Sequence, residues 1–133
     1  MHDINEVNDF LKEAGTYFLA TVDGTKPRVR PFGTNTIYQG KLYIQTGRKK
    51  DVARQIAQSP RVELCAYKDG KWLRLSGTLV EDPDLKAQQW MLSQYPELGG
   101  MYKAGDGNTI VYYFTDATAV FSSFTAEPYT VKF

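Results

Sequence analysis

Residues 61–81, RVELCAYKDGKWLRLSGTLVE, decide the fold. Two strand-like runs, Arg61 to Lys68 and Lys71 to Glu81, flank Asp69-Gly70. An Asp-Gly pair supplies the positive backbone angle that a tight antiparallel hairpin demands, so the two runs are read as paired strands. The same period of two recurs on both sides. Upstream lie TYFLATVD, an Asp23-Gly24 turn, PRVRPF, TNTIYQ and, after Gln39-Gly40, KLYIQTG; downstream lie TIVYYFT, ATAVFSS and the terminal YTVKF. Seven or eight short strands of this kind, covered by two or three helices, suggest a closed or nearly closed antiparallel barrel, because closure removes exposed sheet edges.

The helices are placed by periodicity and caps. Ile4, Val7, Leu11 and Ala14 recur at helical spacing over residues 3–14, Asp3 with Glu6 resembles a capping box, and Gly15 is suited to close the end. Asp51 to Gln58 reads as a short helix with Val52 and Ile56 on one face, ended by Ser59-Pro60. Asp82-Pro83 is expected to open a second substantial helix through Leu85, Gln89 and Leu92 toward Tyr95-Pro96. Residues 97–108, with four glycines, lack periodicity and read as a loop.

A chain of 133 residues with 42% hydrophobic and 14% aromatic residues is the size of one domain, residues 1–133, and has no apolar run long enough to span a bilayer. The start, MHDINEVNDFLKEAG, places acids where a secretory signal needs a basic start and an apolar middle, so the expected compartment is the cytoplasm. A single cysteine, Cys65, fits a reducing compartment. The net charge of +1 argues against global attraction to nucleic acid or to an anionic membrane.

Much side-chain catalysis is ruled out by what is missing. The one histidine, His2, stands at the terminus, so neither a Ser-His pair nor a multi-histidine metal site is available. Cys65 sits mid-strand as a small hydrophobe without a histidine beside it. The acids fall mostly on helix caps and solvated faces, and no phosphate loop or dinucleotide glycine fingerprint occurs. An enzyme of this composition needs a bound cofactor to carry its chemistry.

The positive charge, by contrast, is local. Residues 24–50 hold Lys26, Arg28, Arg30, Lys41, Arg48, Lys49 and Lys50 and not one acid. Arg28 and Arg30 are two apart and share a face of a regular strand. Lys49 and Lys50 stand where a helix begins, an end whose open N–H groups and dipole favour anions and repel cations. A phosphate there would reverse that local cost by accepting bonds from side chains and backbone together, with Thr46 offering a hydroxyl and Gly47 a close backbone approach. A solvated basic face is the alternative for the run taken alone. Tyr17, Phe32, Tyr38, Tyr43 and Trp72 offer flat surfaces for a planar ring.

The series PRVRPF, LYIQTGRKKDVARQI, SPRVELCAY and WLRLSGTLVE, in this order and approximate spacing, resembles the pyridoxamine 5'-phosphate oxidase-like, FMN-binding split-barrel proteins from about Thr16 to the end. The resemblance implies a mainly β fold, a six-stranded antiparallel split β-barrel with a few flanking α-helices. It also implies a homodimer that holds FMN in clefts between subunits. By motif, Arg28 and Arg30 match the basic positions of the second strand, Val29 and Phe32 supply backbone beside the flavin ring, and Thr46, Lys49 and Lys50 match the phosphate turn. Trp72 falls where relatives often place a polar residue that reaches the cofactor from the neighbouring subunit. No counterpart is present of the basic, tryptophan-containing C-terminal segment with which true pyridoxamine-phosphate oxidases grip substrate, which argues against vitamin B6 oxidation. The histidine seen near the flavin in some nitroimidazole-resistance relatives also has no counterpart.

The expected function is an FMN-dependent oxidoreductase that passes hydride or electrons from a reduced nicotinamide or other small donor to a small acceptor. The rivals are a non-catalytic binder of FMN, a deazaflavin or haem, and an oligonucleotide-binding barrel. On this reading Lys50→Ala weakens FMN binding and Lys12→Ala does not.

Overall fold

The hairpin at Asp69-Gly70 sits at the centre of the sheet in the computed structural model, which describes residues 2–133. Among the described residues the strands are β1 (Tyr17–Asp23), β2 (Lys26–Phe32), β3 (Thr36–Tyr38), β4 (Lys41–Gly47), β5 (Arg61–Lys68), β6 (Lys71–Asp82), β7 (Thr109–Ser123) and β8 (Tyr129–Lys132). They pair antiparallel in the order β2-β1-β5-β6-β7-β4-β3, with β8 added to β7. The path of pairings ends at β2 on one side and β3 on the other, so the sheet curls without closing. The protein is mainly β, with the split barrel's open seam. The expected six strands are eight, because β3 is a short hairpin partner of β4 and β8 returns alongside β7.

Among the described residues three α-helices cover this sheet: α1 (Ile4–Ala14), α2 (Asp51–Gln58) and α3 (Leu85–Gln94), the last followed by a 3₁₀ turn, Pro96–Gly100. α1 buries Val7, Phe10 and Leu11 and ends at Gly15, whose φ of 82° is one that glycine adopts without strain. α2 buries Val52, Ala53, Gln55 and Ile56 and packs on β1 and β4, filling the seam that the sheet leaves open. The main core joins α1 and α2 to the inward faces of the strands through Tyr17, Leu19, Ile44, Leu64, Leu75, Ile110 and Phe121. No helix of the described residues is long and apolar enough to cross a membrane.

Several boundaries differ from expectation. Asp3 caps α1 by accepting from Asn5 N, but the Glu6 carboxylate turns to His2 and the Tyr129 hydroxyl, so only half of a capping box forms. α3 begins after Asp84, which accepts from Lys86 N, whereas Asp82 accepts the Tyr43 hydroxyl at 2.6 Å. TIVYYFT and ATAVFSS are one long strand, β7. The break between them is a bulge at Asp116, φ 49°, where the pairing steps from Ser76↔Thr118 to Thr78↔Thr115. Gly77 lies opposite this bulge, and a Cβ there would stand 2.9 Å from Phe114 Cδ1.

Candidate functional site

β2 is an edge strand, and its side chains alternate as the sequence demands. Arg28, Arg30 and Phe32 lie across from Thr21, Leu19 and Tyr17, so all three point to the inner side of the sheet. Val29 pairs with Ala20 and Pro31 with Phe18 on the outer side. An inner face on an edge strand is covered only in part. Arg30 is therefore half-buried, and its guanidinium meets α2.

Arg30 is fixed by neutral groups. Nη1 donates to Leu19 O at 3.2 Å and Thr21 Oγ1 at 2.7 Å, and Nη2 donates to Gln55 Oε1 at 2.6 Å. Burial pulls its pKa down from the ordinary arginine value, with the nearby Asp51 charge opposing and Arg28 adding to the effect. Arg28 lies 3.6 Å from Asp23, which also pairs with Arg54 at 3.4 Å.

Lys50 stands at the N-cap of α2. Its side chain is exposed, has no ion-pair partner among the described residues, and makes no capping hydrogen bond, so the first amides of α2 lack a side-chain acceptor. Arg30 and Lys50 border two adjoining hollows. One, of about 410 Å³, is polar and lined also by Asp23, Arg28, Val29, Asp51 and Gln55. The other, of about 220 Å³, is more apolar and includes Phe32, Thr34, Thr46, Leu98, Met101 and Tyr102. Together they form a trough whose basic end lies at the start of α2 and whose apolar end runs along β2 toward the 3₁₀ turn.

The structure thus brings together Arg28, Val29, Arg30, Phe32, Thr46 and Lys50 of the residues singled out in the sequence. It separates the others. Arg48 turns to the opposite side of α2 and pairs with Glu81 at 2.7 Å. Lys49 is exposed, outside both hollows, and is held by its backbone N–H, which donates to Asn108 Oδ1 at 3.1 Å. Trp72 lies on the outer face across from Tyr67, with its ring 5.1 Å from that of Phe124, so within one chain it does not border the trough. Lys41 sits over the Tyr113 ring and takes no part in the site.

Sequence reasoning missed Thr21 and Gln55, which carry Arg30, and the segment from Leu98 to Tyr102, which walls the apolar end. The period of α2 was a usable signal for Gln55: it lies three residues after Val52 and beside Ile56, on the buried face. No periodic signal marked Leu98 to Tyr102. The residues on either side of it are held by long-range bonds, the Tyr95 hydroxyl with Asn35 at 2.9 Å and the Arg48 N–H to Asn108 O at 2.7 Å. Lys12 is not a silent surface position either, since Nζ donates to Asn35 O at 2.7 Å. Among the described residues no cluster of three or more His, Cys, Asp or Glu side chains is placed to hold a metal ion.

An open antiparallel barrel of this architecture has close counterparts among known proteins. The family model described as pyridoxamine 5'-phosphate oxidase matches residues 4–115. The chain belongs to this family. It is similar to a NimC/NimA family protein from Clostridium acetobutylicum, with 38% identity, 96% of this chain and 92% of that chain covered and a TM-score of 0.91. It shares its fold with general stress protein 26 from Bacillus anthracis, at 16% identity, 97% of each chain covered and a TM-score of 0.77. It also shares its fold with a pyridoxamine 5'-phosphate oxidase-related, FMN binding protein from Nostoc punctiforme, at 18% identity, 94% and 84% covered and a TM-score of 0.69. No curated protein sequence matches.

Proposed function

We propose that the chain is a flavoprotein that holds FMN in this trough and works as an oxidoreductase on small molecules. The observation that carries the reading is the convergence of Arg28, Arg30 and Lys50, from two distant segments, on one hollow at the uncapped start of α2. A phosphate ester suits that donor set: two guanidiniums, an ammonium and free backbone N–H groups all favour a compact dianion. Phe32, Leu98, Met101 and Tyr102 give the adjoining hollow the apolar, flat-walled lining that suits a planar ring, with the Thr46 hydroxyl on its border. The family and the relative from Nostoc punctiforme, an FMN binding protein, point the same way.

FMN, when bound, supplies the transfer of hydride or electrons between a donor such as a reduced nicotinamide and a small acceptor. The side chains have the simpler tasks. Arg28, Arg30 and Lys50 bind the phosphate; Phe32 and the wall from Leu98 to Tyr102 orient the ring and keep water from one side of it. No histidine among the described residues borders the trough, and Asp23, the acid whose pKa the Arg54 hydrogen bond and the charges of Arg54 and Arg28 hold below the usual carboxylate value, is a poor proton donor, so we assign proton delivery to solvent.

We further propose that the functional unit is a homodimer closed across the outer face of β1, β2 and β5. Phe18, Val22, Val29 and Tyr67 are 51%, 43%, 67% and 64% exposed on that face. The pairings Phe18↔Pro31, Ala20↔Val29 and Phe18↔Cys65 make it one continuous apolar patch, which a second copy would bury. Trp72 and Phe124, on the same side of the sheet, would then approach the partner's trough.

The test is a visible spectrum of the purified protein, followed by titration with FMN and with riboflavin. Flavin bands, release of FMN on denaturation and a strong preference for FMN over riboflavin are expected, together with oxidation of NADH or NADPH by the loaded protein. A colourless protein with no affinity for FMN refutes the reading; tight FMN binding without turnover leaves a carrier or sensor.

A further inference from the structure

Gln55 is 3% exposed, yet it is a polar side chain in the middle of an eight-residue helix. Its Oε1 accepts from Thr21 Oγ1 at 2.5 Å and from Arg30 Nη2 at 2.6 Å, while Thr21 Oγ1 accepts from Arg30 Nη1 at 2.7 Å. The three side chains close a triangle of hydrogen bonds, and Leu19 O adds a fourth contact. Every hydrogen-bond partner of this half-buried guanidinium among the described residues is neutral. Gln55 Nε2 has no acceptor among the described residues, and Gln55 borders the basic hollow. Of the acids on that hollow, Asp23 is engaged by Arg28 and Arg54, while Asp51 acts on Arg30 only through its charge and makes no salt bridge among the described residues.

A half-buried arginine is ordinarily matched by a carboxylate, which gives shorter and stronger bonds than an amide in the same geometry. Glutamate has the shape of glutamine and would occupy this position without rearrangement. What an amide does that a carboxylate does not is fix the guanidinium and leave its charge uncancelled. We propose that Gln55, together with Thr21, is a positioning residue that holds Arg30 in a neutral cradle and so keeps its charge for the anionic group of the ligand. The spare Nε2 adds a donor on the same side. This inference rests on the assignment of the trough to FMN and names the residues that tune its anionic end.

The decisive variant is Gln55→Glu in the full chain. Paired with Arg30, the carboxylate should keep or raise the melting temperature of the flavin-free protein. It should weaken FMN binding about tenfold, the scale of one charge-assisted contact, and leave riboflavin, which lacks the phosphate, bound as in the wild type. Added salt should shrink the difference between the two proteins. Thr21→Val, which keeps shape and removes the hydroxyl, should lower FMN affinity a few-fold and serves if Gln55→Glu does not fold. Unchanged FMN affinity in the variant that folds overturns the proposal. So does equal loss of FMN and riboflavin with a lower melting temperature, which would make Gln55 a packing residue. Inorganic pyrophosphate separates the two readings: a wild type that binds it but not FMN refutes the flavin assignment alone, and weaker pyrophosphate binding in Gln55→Glu then supports the cradle. A wild type that binds neither overturns both.

Discussion

Lys50→Ser should raise stability and lower affinity in one substitution. Lys50 has the extended backbone of an N-cap, φ −82° and ψ 149°, but a side chain that does not cap. Serine in that conformation accepts from an open amide of the first turn and contributes about 1 kcal/mol. Removing an ammonium from the positive end of the dipole adds roughly 0.3 to 1 kcal/mol. A gain of about 1.5 kcal/mol corresponds to a melting temperature higher by roughly 4 to 8 °C for a domain of this size. Lys50 is exposed, so its bond to a phosphate belongs at the low end of the charge-assisted range, about 1.5 kcal/mol, or roughly tenfold in affinity. Thermal unfolding of the flavin-free protein and fluorescence titration with FMN measure the two effects separately, with riboflavin as the control for the phosphate. Lys86→Ala, on the exposed start of α3, and Arg48→Ala, on the far side of α2, should leave the preference for FMN over riboflavin near wild type. A Lys50→Ser protein that melts lower, or that keeps the wild-type preference for FMN, refutes the placement of the phosphate at this helix start.

Phe18→Glu puts a charge in the middle of the outer apolar face; sedimentation should show a monomer, and the flavin titration a loss of affinity. A Phe18→Glu dimer removes that face from the interface. Gly77→Ala drives a methyl against Phe114 and Ala117 at the β7 bulge and should cost about 1 to 3 kcal/mol in urea unfolding, without a change in affinity among the molecules that remain folded. Glu6 has a pKa below the usual carboxylate value: burial raises it, but hydrogen bonds from Tyr129 and His2 and the charge of Lys71 outweigh that. Its contribution to stability is therefore complete above the unfolded pKa, about 4.3, and is lost as pH falls through the lower folded value. Glu6→Gln should flatten that part of the acid limb of a stability–pH curve, and an unaltered limb between pH 5 and 3 would show that the cluster carries no linkage.

Strand order was less legible than strand content. The Asp69-Gly70 hairpin, the Asp23-Gly24 turn and the Gln39-Gly40 turn are local, and each pairs its neighbours as the residues dictate. The pairings β1–β5 and β4–β7 join segments far apart in sequence, and no local pattern encodes them. Strand parity carried the site furthest: a two-residue step fixed Arg28 and Arg30 on one face before any fold was known. The run Arg48-Lys49-Lys50 shows where parity stops. At a strand-to-helix corner successive residues turn by neither 180° nor 100°, so three adjacent cations reach Glu81, solvent and the trough, and only Lys50 joins the arginines. Composition read the run as one patch; the corner divides it. The wall from Leu98 to Tyr102 was illegible for another reason, since its position depends on Tyr95 and Asn108 binding distant backbone.

Three local features are each unfavourable in the isolated chain, and all border the same trough or the sheet edge beside it. α2 starts with a cation and no cap; Arg30 is half-buried among neutral partners; and the edge strand with its neighbours exposes Phe18, Val22 and Val29. Elsewhere α1 and α3 are capped by aspartates, Arg48, Arg54 and Lys68 meet carboxylates, and no side-chain polar atom enclosed among the described residues lacks a partner, although Leu85, Trp90 and Phe124 are also exposed. Local rules broken together at one place are what the proposed anion site and dimer face would account for. On that proposal one anion would relieve the first two, and a second subunit the third. The coupling between them is testable. If the dimer face and the trough form one site, FMN should tighten self-association and dilution should weaken FMN binding by the same factor; sedimentation with and without FMN that shows no such reciprocity would make them two independent features.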